Sequence, residues 1–260
     1  MKKRKPFPKG RKPGRSGTTG ERPGAAGLWL YGLHAAAAAL ANPRRKVLRV
    51  VVTPRTAEEL GDSLRRFRPE LAEMDAISRL LPAGSVHQGA AVLTENLPKM
   101  DLEEVLASPN EGRRIVVVLD QLTDPHNVGA ILRSCAAFEV AAVVVQDRHA
   151  PPESGVLAKA ASGALDRVPY VEVVNIARAL EDLGRMGFWS IALAADGEMN
   201  LREAAPLNDV VLVLGAEGTG IRRLVRERCD SSARIPISNA MESLNVSNAA
   251  AIALYELRRG

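Results

Sequence analysis

Aromatic side chains are scarce in this sequence: 3% of 260 residues, as two Trp, three Tyr and four Phe. That excludes a broad array of base-stacking platforms. Cysteine is scarcer still. Cys135 and Cys229 are too few for a disulfide framework. Both sit in apolar helical patterns, as the buried thiols of a reduced, cytoplasmic protein do. No apolar run reaches the roughly 18 residues of a membrane span. The basic start is followed by no apolar stretch, so no secretory signal is expected, and its Gly and Pro spacing argues against the amphipathic helix of a transit peptide. His34, His87, His126 and His149 show no metal-ligand spacing, so no metal is expected.

What is present is charge of uneven placement. The net charge of +5 is concentrated at the start. Residues 1–26 hold nine Lys/Arg and one acid, a net +8, with five Gly and four Pro. Such a segment cannot bury enough surface to offset its ordering entropy, and a disordered basic tail is expected there. The remaining residues carry 26 basic and 29 acidic side chains, a net −3. The folded body is therefore mildly acidic.

Residues 27–98 read as a small α/β domain. The Ala-rich run Gly32–Ala41 ends at Asn42-Pro43, a helix stop. Val47–Val52 reads as a strand, Thr56 and Glu59 as a capping box opening a helix to about Phe67, Glu70–Leu80 as a further helix, and Ala90–Thr94 as a strand. Arg44, Arg45, Lys46 and Arg49 cluster around one loop and are candidate RNA contacts, though on charge alone a solvated surface is the simpler reading. Residues 99–112 hold one Lys and four acids and read as a linker with one helical turn. From Arg113 the texture changes. Ile115–Leu119 is a continuous apolar run, as in a strand buried on both faces. Strands at Ala142–Val145, Val171–Val174, Trp189–Leu193 and Val210–Leu214 alternate with helices near Glu153–Lys159, Ile176–Met186 and Asn245–Arg259. That alternation predicts a mostly parallel sheet over 113–260.

Three stretches break this pattern with polar residues. In the first, Asp120–Ser134, which contains DPHNVGAILRS, Asp124 is an expected N-cap with Pro125 in the first turn. Val128, Ile131, Leu132 and Cys135 form the apolar face, and Arg133 lies roughly opposite. Asn127 falls in the first turn, beside the carboxyl end of a parallel strand, where open α/β sheets bind ligands. In the second, Leu214–Ile221 (LGAEGTGI), a buried strand runs into a Gly-rich turn holding one acid, Glu217. Its glycine spacing is not the dinucleotide fingerprint, yet it permits close backbone approach to a ligand. In the third, Ile235–Glu256 (IPISNAMESLNVSNAAAIALYE), Ser/Asn side chains crowd a helix start beyond what one cap needs. A polar pocket or dimer seam is expected. Taken singly, a capping Asn, a solvated Arg and a common Gly turn explain each stretch.

Together and in order, the three resemble the SpoU (TrmH-like) family of RNA ribose 2′-O-methyltransferases. Leu30–Pro54 (LYGLHAAAAALANPRRKVLRVVVTP) also resembles the substrate-binding domain of the subfamily that methylates a large-subunit ribosomal RNA guanosine, a domain related to RNA-binding ribosomal proteins. The resemblance implies a trefoil-knotted SPOUT-type α/β domain, homodimers and S-adenosylmethionine as methyl donor. It matches Gly215, Ile235 and Leu244 to cofactor-binding positions. It matches Asn127, Arg133, Glu217, Ser243 and Asn245 to the polar residues assigned to catalysis. Asn239 stands where the family often has Gly, and Asn tolerates the left-handed conformation better than most residues. The alternatives are a transfer RNA guanosine as target, or a non-enzymatic RNA-binding or ribosome-assembly factor.

Overall fold

The structure, a computed structural model, describes residues 27–107, 112–205, 208–238 and 240–259. The expected basic tail 1–26 and Asn239 lie outside the described residues.

The amino-terminal lobe contains β1 (Leu28–Tyr31), α1 (Leu33–Ala41), β2 (Val47–Val52), α2 (Pro54–Leu60), β3 (Glu70–Leu71), α3 (Met74–Ser78) and β4 (Ala90–Thr94). The sheet runs β1-β4-β2-β3. β4 is antiparallel to both β1 and β2, and β3 is parallel to β2. Helix α1 buries Ala35, Ala36, Ala38 and Ala39, so it lies close against its neighbours. It ends at Asn42, which is extended rather than helical.

Two elements differ from expectation. α2 is capped by Thr53, whose side chain accepts from the Thr56 amide, with Pro54 in the first turn. Proline is tolerated there because that N–H would have no helical partner. The expected helix over Glu70–Leu80 is instead the short strand β3 followed by the one-turn α3. The Ala72 amide donates to the Val52 carbonyl, so the open edge of β2 captures a segment whose local propensity is helical.

The carboxyl-terminal lobe contains α4 (Leu102–Leu106), β5 (Ile115–Asp120), α5 (Pro125–Ala137), β6 (Ala142–Gln146), α6 (Gly155–Ala161), β7 (Tyr170–Val173), α7 (Ile176–Arg185) and β8 (Trp189–Leu193). It continues with β9 (Met199–Asn200), α8 (Leu201–Ala204), β10 (Val210–Gly215), α9 (Arg223–Arg226), β11 (Ser231–Arg234) and α10 (Val246–Arg259). Seven strands form one sheet in the order β7-β6-β5-β10-β8-β11-β9, with every pairing parallel. β5 alternates sides: Ile115, Val117 and Leu119 pack on one face with α5, α6 and α10, and Val116 and Val118 on the other with α4 and α7. A continuous apolar run was required because both faces are covered. The one helical turn expected in the linker is α4, whose Leu102 and Leu106 are buried against the second face. Among the described residues no helix is long and apolar enough to cross a membrane.

Candidate active site

The carboxyl ends of β8, β10 and β11 open into one cleft of about 570 Å3. Its walls come from Leu193–Asp196, Leu214–Ile221, Ile235, Ile237 and Ser243–Val246. These are the Gly-rich turn and the polar helix start singled out by sequence, with a third loop after β8.

The turn after β10 has no room for side chains at its base. A Cβ on Gly215 would lie 2.1 Å from the Gly220 carbonyl carbon. The turn closes through the Gly220 amide, which donates to Ala216 at 2.8 Å, and Gly220 itself has φ 68.

Asp120, the last residue of β5, anchors the far side of this turn. Its carboxylate is fully buried and accepts from the Arg222 amide at 2.8 Å and from Arg222 Nε at 2.8 Å. Arg222 also donates to Gln146 Oε1 at 3.0 Å. Two strand ends are so tied to the first residue after the Gly-rich turn. Sequence reading missed this pair, although a charged residue closing an apolar run was the available signal. A second missed pair lines the cleft itself. Arg226 donates to Asp196 at 2.8 Å and holds that carboxyl below the usual carboxylate range.

Asn245 brings the three motifs together. It precedes α10, and its Oδ1 accepts from the Ser247 amide at 2.9 Å, an N-cap. Its Nδ2 donates to Asn127 Oδ1 at 3.1 Å and to Glu217 Oε1 at 2.6 Å. Asn127 arrives from α5, whose N-cap is Asp124 with Pro125 in the first turn, as expected. Of the predicted site residues, Gly215, Glu217, Ile235, Ser243, Leu244 and Asn245 line the cleft, and Asn127 joins it through Asn245. Arg133 does not join them. It is exposed on α5, six residues beyond Asn127, about 9 Å further along the axis and on another side of the helix. Among the described residues it makes no hydrogen bond or ion pair.

Neither cysteine is poised as a nucleophile. Burial pushes the Cys135 thiol far up and Cys229 to about 12, so neither is a thiolate near neutral pH.

The expected RNA-contact cluster is only partly at the surface. Arg44 and Lys46 are exposed, Lys46 beside Glu95. Arg49 stacks on Trp29 at 5.9 Å and pairs with Glu70 at 2.6 Å. Arg45 departs from the expectation. Its side chain is fully buried and paired with Glu153 and Asp166, so it cannot reach a phosphate.

A seven-stranded parallel sheet with a Gly-lined cleft and an Asn–Asn–Glu cluster at its carboxyl edge defines a class. The chain belongs to the SpoU rRNA Methylase family, whose profile matches residues 114–255. It is 37% identical to a protein named 23S rRNA (guanosine-2'-O-)-methyltransferase RlmB from Xanthomonas campestris pv. campestris, over 89% of this chain and 96% of that one. The SpoU methyltransferase AviRb from Streptomyces viridochromogenes, solved with the cofactor AdoMet, shares the fold at TM-score 0.74 and 23% identity, over 90% of each chain. The A. aeolicus TrmH/SpoU tRNA modifying enzyme is 31% identical with TM-score 0.51, over 61% of this chain and 79% of its own.

Proposed function

We propose that this protein transfers a methyl group from S-adenosylmethionine to the ribose 2′-hydroxyl of a guanosine in large-subunit ribosomal RNA, in the cytoplasm. The observation that carries this is the Asn127–Asn245–Glu217 cluster at the mouth of the cleft. Three segments distant in sequence bring polar groups to one rim, beside a Gly-lined wall. The named function of the 37% identical relative supports the substrate.

The cleft suits the cofactor in size and lining. Gly215 lets the turn fold tightly back on Gly220, where a Cβ would collide, and Ile235 and Leu244 supply apolar wall. The bound cofactor supplies a methyl group on a positively charged sulfur, already activated for transfer. The chain's residues then have two tasks, to aim the 2′-oxygen and to stabilise charge developing on it. Asn245 holds Asn127 and Glu217 in register, and Ser243 adds a hydroxyl to the rim. Orientation of this kind accounts for several kcal/mol of a barrier. Arg133 stays protonated, so it takes no proton; as the O–CH3 bond would form and the sulfur–methyl bond break, the 2′-hydroxyl proton would pass to solvent water. It clamps a neighbouring phosphate and stabilises the developing alkoxide.

Arg133 lies off the cluster, which supports a homodimer whose second copy completes the site. Helix α10, packed beside α5, exposes Ile252 and Tyr255 one turn apart, an apolar stripe suited to a partner. Within this reading the carboxyl-terminal segment is threaded as a trefoil knot over 113–260. Residues 27–98 form a docking module for RNA, 99–112 link the two, and the tail 1–26 adds phosphate contacts.

A transfer RNA target is the second reading. Likeness to the tRNA modifying enzyme stops at 61% of this chain, whereas the ribosomal relative matches 89%, which favours ribosomal RNA. Ribose-methylation mapping in cells with and without the protein decides. A methyl missing from one guanosine of large-subunit RNA is the expected result; loss confined to transfer RNA overturns it.

A further inference from the structure

The buried Arg45 is left unexplained by RNA docking, and its surroundings show a purpose. It belongs to the amino-terminal lobe, in the loop between α1 and β2. Its Nε donates to Asp166 Oδ1 at 2.8 Å, and its Nη1 to Glu153 Oε1. Both acids belong to the carboxyl-terminal lobe. Each also takes a second donor from the amino-terminal side: Asn42 Nδ2 to Asp166 at 3.0 Å and the Leu97 amide to Glu153 at 3.0 Å. Across the same boundary, Lys159 reaches Gln88.

Close packing is a second, independent observation. A Cβ on Gly155 would lie 2.4 Å from the Tyr31 ring and 2.5 Å from the Trp29 carbonyl oxygen. A Cβ on Gly163 would lie 2.8 Å from both Ala38 Cβ and the His34 carbonyl oxygen. Leu30, Ala35 and Ala39 share one buried cluster with Leu157, Ala158, Ala161 and Ala164. The apolar core runs through the boundary without a break.

Lobes joined by a tether move relative to one another unless the interface is large and apolar. A fully buried guanidinium is costly to desolvate, and an apolar substitute often stabilises as well or better. What the planar fork adds is orientation, because two carboxylates must meet it at fixed angles. The glycines fix separation in the same way.

We propose that this seam holds the two lobes in one orientation, so that RNA gripped by the amino-terminal lobe presents its target ribose at the cleft. Arg45, Glu153 and Asp166 are positioning residues for methyl transfer, and the seam sets the span between docking surface and reaction site. This rests on the methyltransferase reading. A 1 Å misplacement of a reactant costs as much as about a hundredfold in rate, so a loosened seam acts mainly on turnover.

Two full-length variants test it from opposite sides: Arg45→Met, which removes the fork while filling its space, and Gly155→Val, which wedges the seam without changing charge. Small-angle scattering reads the lobe arrangement, and calorimetry reads S-adenosylmethionine affinity. Methylation of protein-free large-subunit RNA, lacking the modification, gives kcat and KM. The expected result is a larger radius of gyration, cofactor Kd within twofold of wild type, KM for RNA within about threefold, and kcat down at least tenfold. Separated lobes with kcat within twofold overturn the proposal. Unchanged scattering in both variants overturns it, as does loss of cofactor binding in both, since the residues would then support the fold generally. A wild-type chain that binds RNA and cofactor but methylates nothing sinks the methyltransferase reading instead.

Discussion

The amide of Asn245 is committed on both sides: Oδ1 caps α10, and Nδ2 spans Asn127 and Glu217. Arg133 is the opposite case, with its planar cation held by nothing among the described residues. A residue so placed is free for a substrate, and the shape of its head group is testable apart from its charge. Arg133→Lys keeps the charge and loses the bidentate fork. On the reading above, kcat falls at least a hundredfold in single-turnover methylation while S-adenosylmethionine affinity stays within twofold. Near-normal turnover would show that any cation suffices. All these residues were visible in the sequence as polar side chains interrupting apolar patterns at strand ends. Arg45 was not. An Arg-Arg-Lys run reads alike whether it faces water or protein, and its acidic partners lie 108 and 121 residues away.

Among the elements, the Gly-rich turn depends on what precedes and follows it. Asp120 closes β5, and Arg222 leads into α9, with Gly215–Ile221 immediately before. Asp120→Asn keeps one acceptor but discards the charge. Breaking a buried pair typically costs about 3–5 kcal/mol; Arg222 is part-exposed and can hydrate, so about 2 kcal/mol is expected here. That shift lowers Tm by roughly 4–8 °C for a chain of this size. Cofactor affinity should fall as well, because the turn loses its tether. Calorimetry of both unfolding and binding checks the pair of effects, and a Tm drop with unaltered affinity would confine Asp120 to stability. Strands β5, β6 and β10 were legible because burial on both faces demands nearly unbroken Val/Ile/Leu runs. β11 was not, since Ser-Ser-Ala-Arg carries no such run. It is a strand because β8 offers it a partner, Ser231 opposite Ile191 and Ala233 opposite Leu193. The span Glu70–Leu80 failed for the same reason, with the edge of β2 overriding local propensity.

At the scale of the whole molecule, charge and chemistry are separated along the chain. The catalytic lobe is acidic and should bind RNA weakly alone, while the first 26 residues carry a net +8. Deleting residues 1–26 should weaken RNA binding and flatten its dependence on salt, because fewer counterions are released. S-adenosylmethionine affinity should not change. Filter binding over a salt series measures this directly, and an unaltered slope would leave the tail without a role in RNA contact. The parallel sheet followed from the alternation of strands and helices. The joining of the two lobes through one core did not, because seam residues such as Gly155 and Ala39 look like ordinary helix residues until their partners are known.

The hydrogen bond from Asn245 to Asn127 closes a gap of 118 residues. Contacts that distant form late, after most of the chain's freedom has been spent. During synthesis the sheet centre cannot pair until β10 has emerged, and the cluster at the cleft waits for α10 as well. An unfinished chain therefore has no complete cleft until Asn245 and the helix it caps are in place.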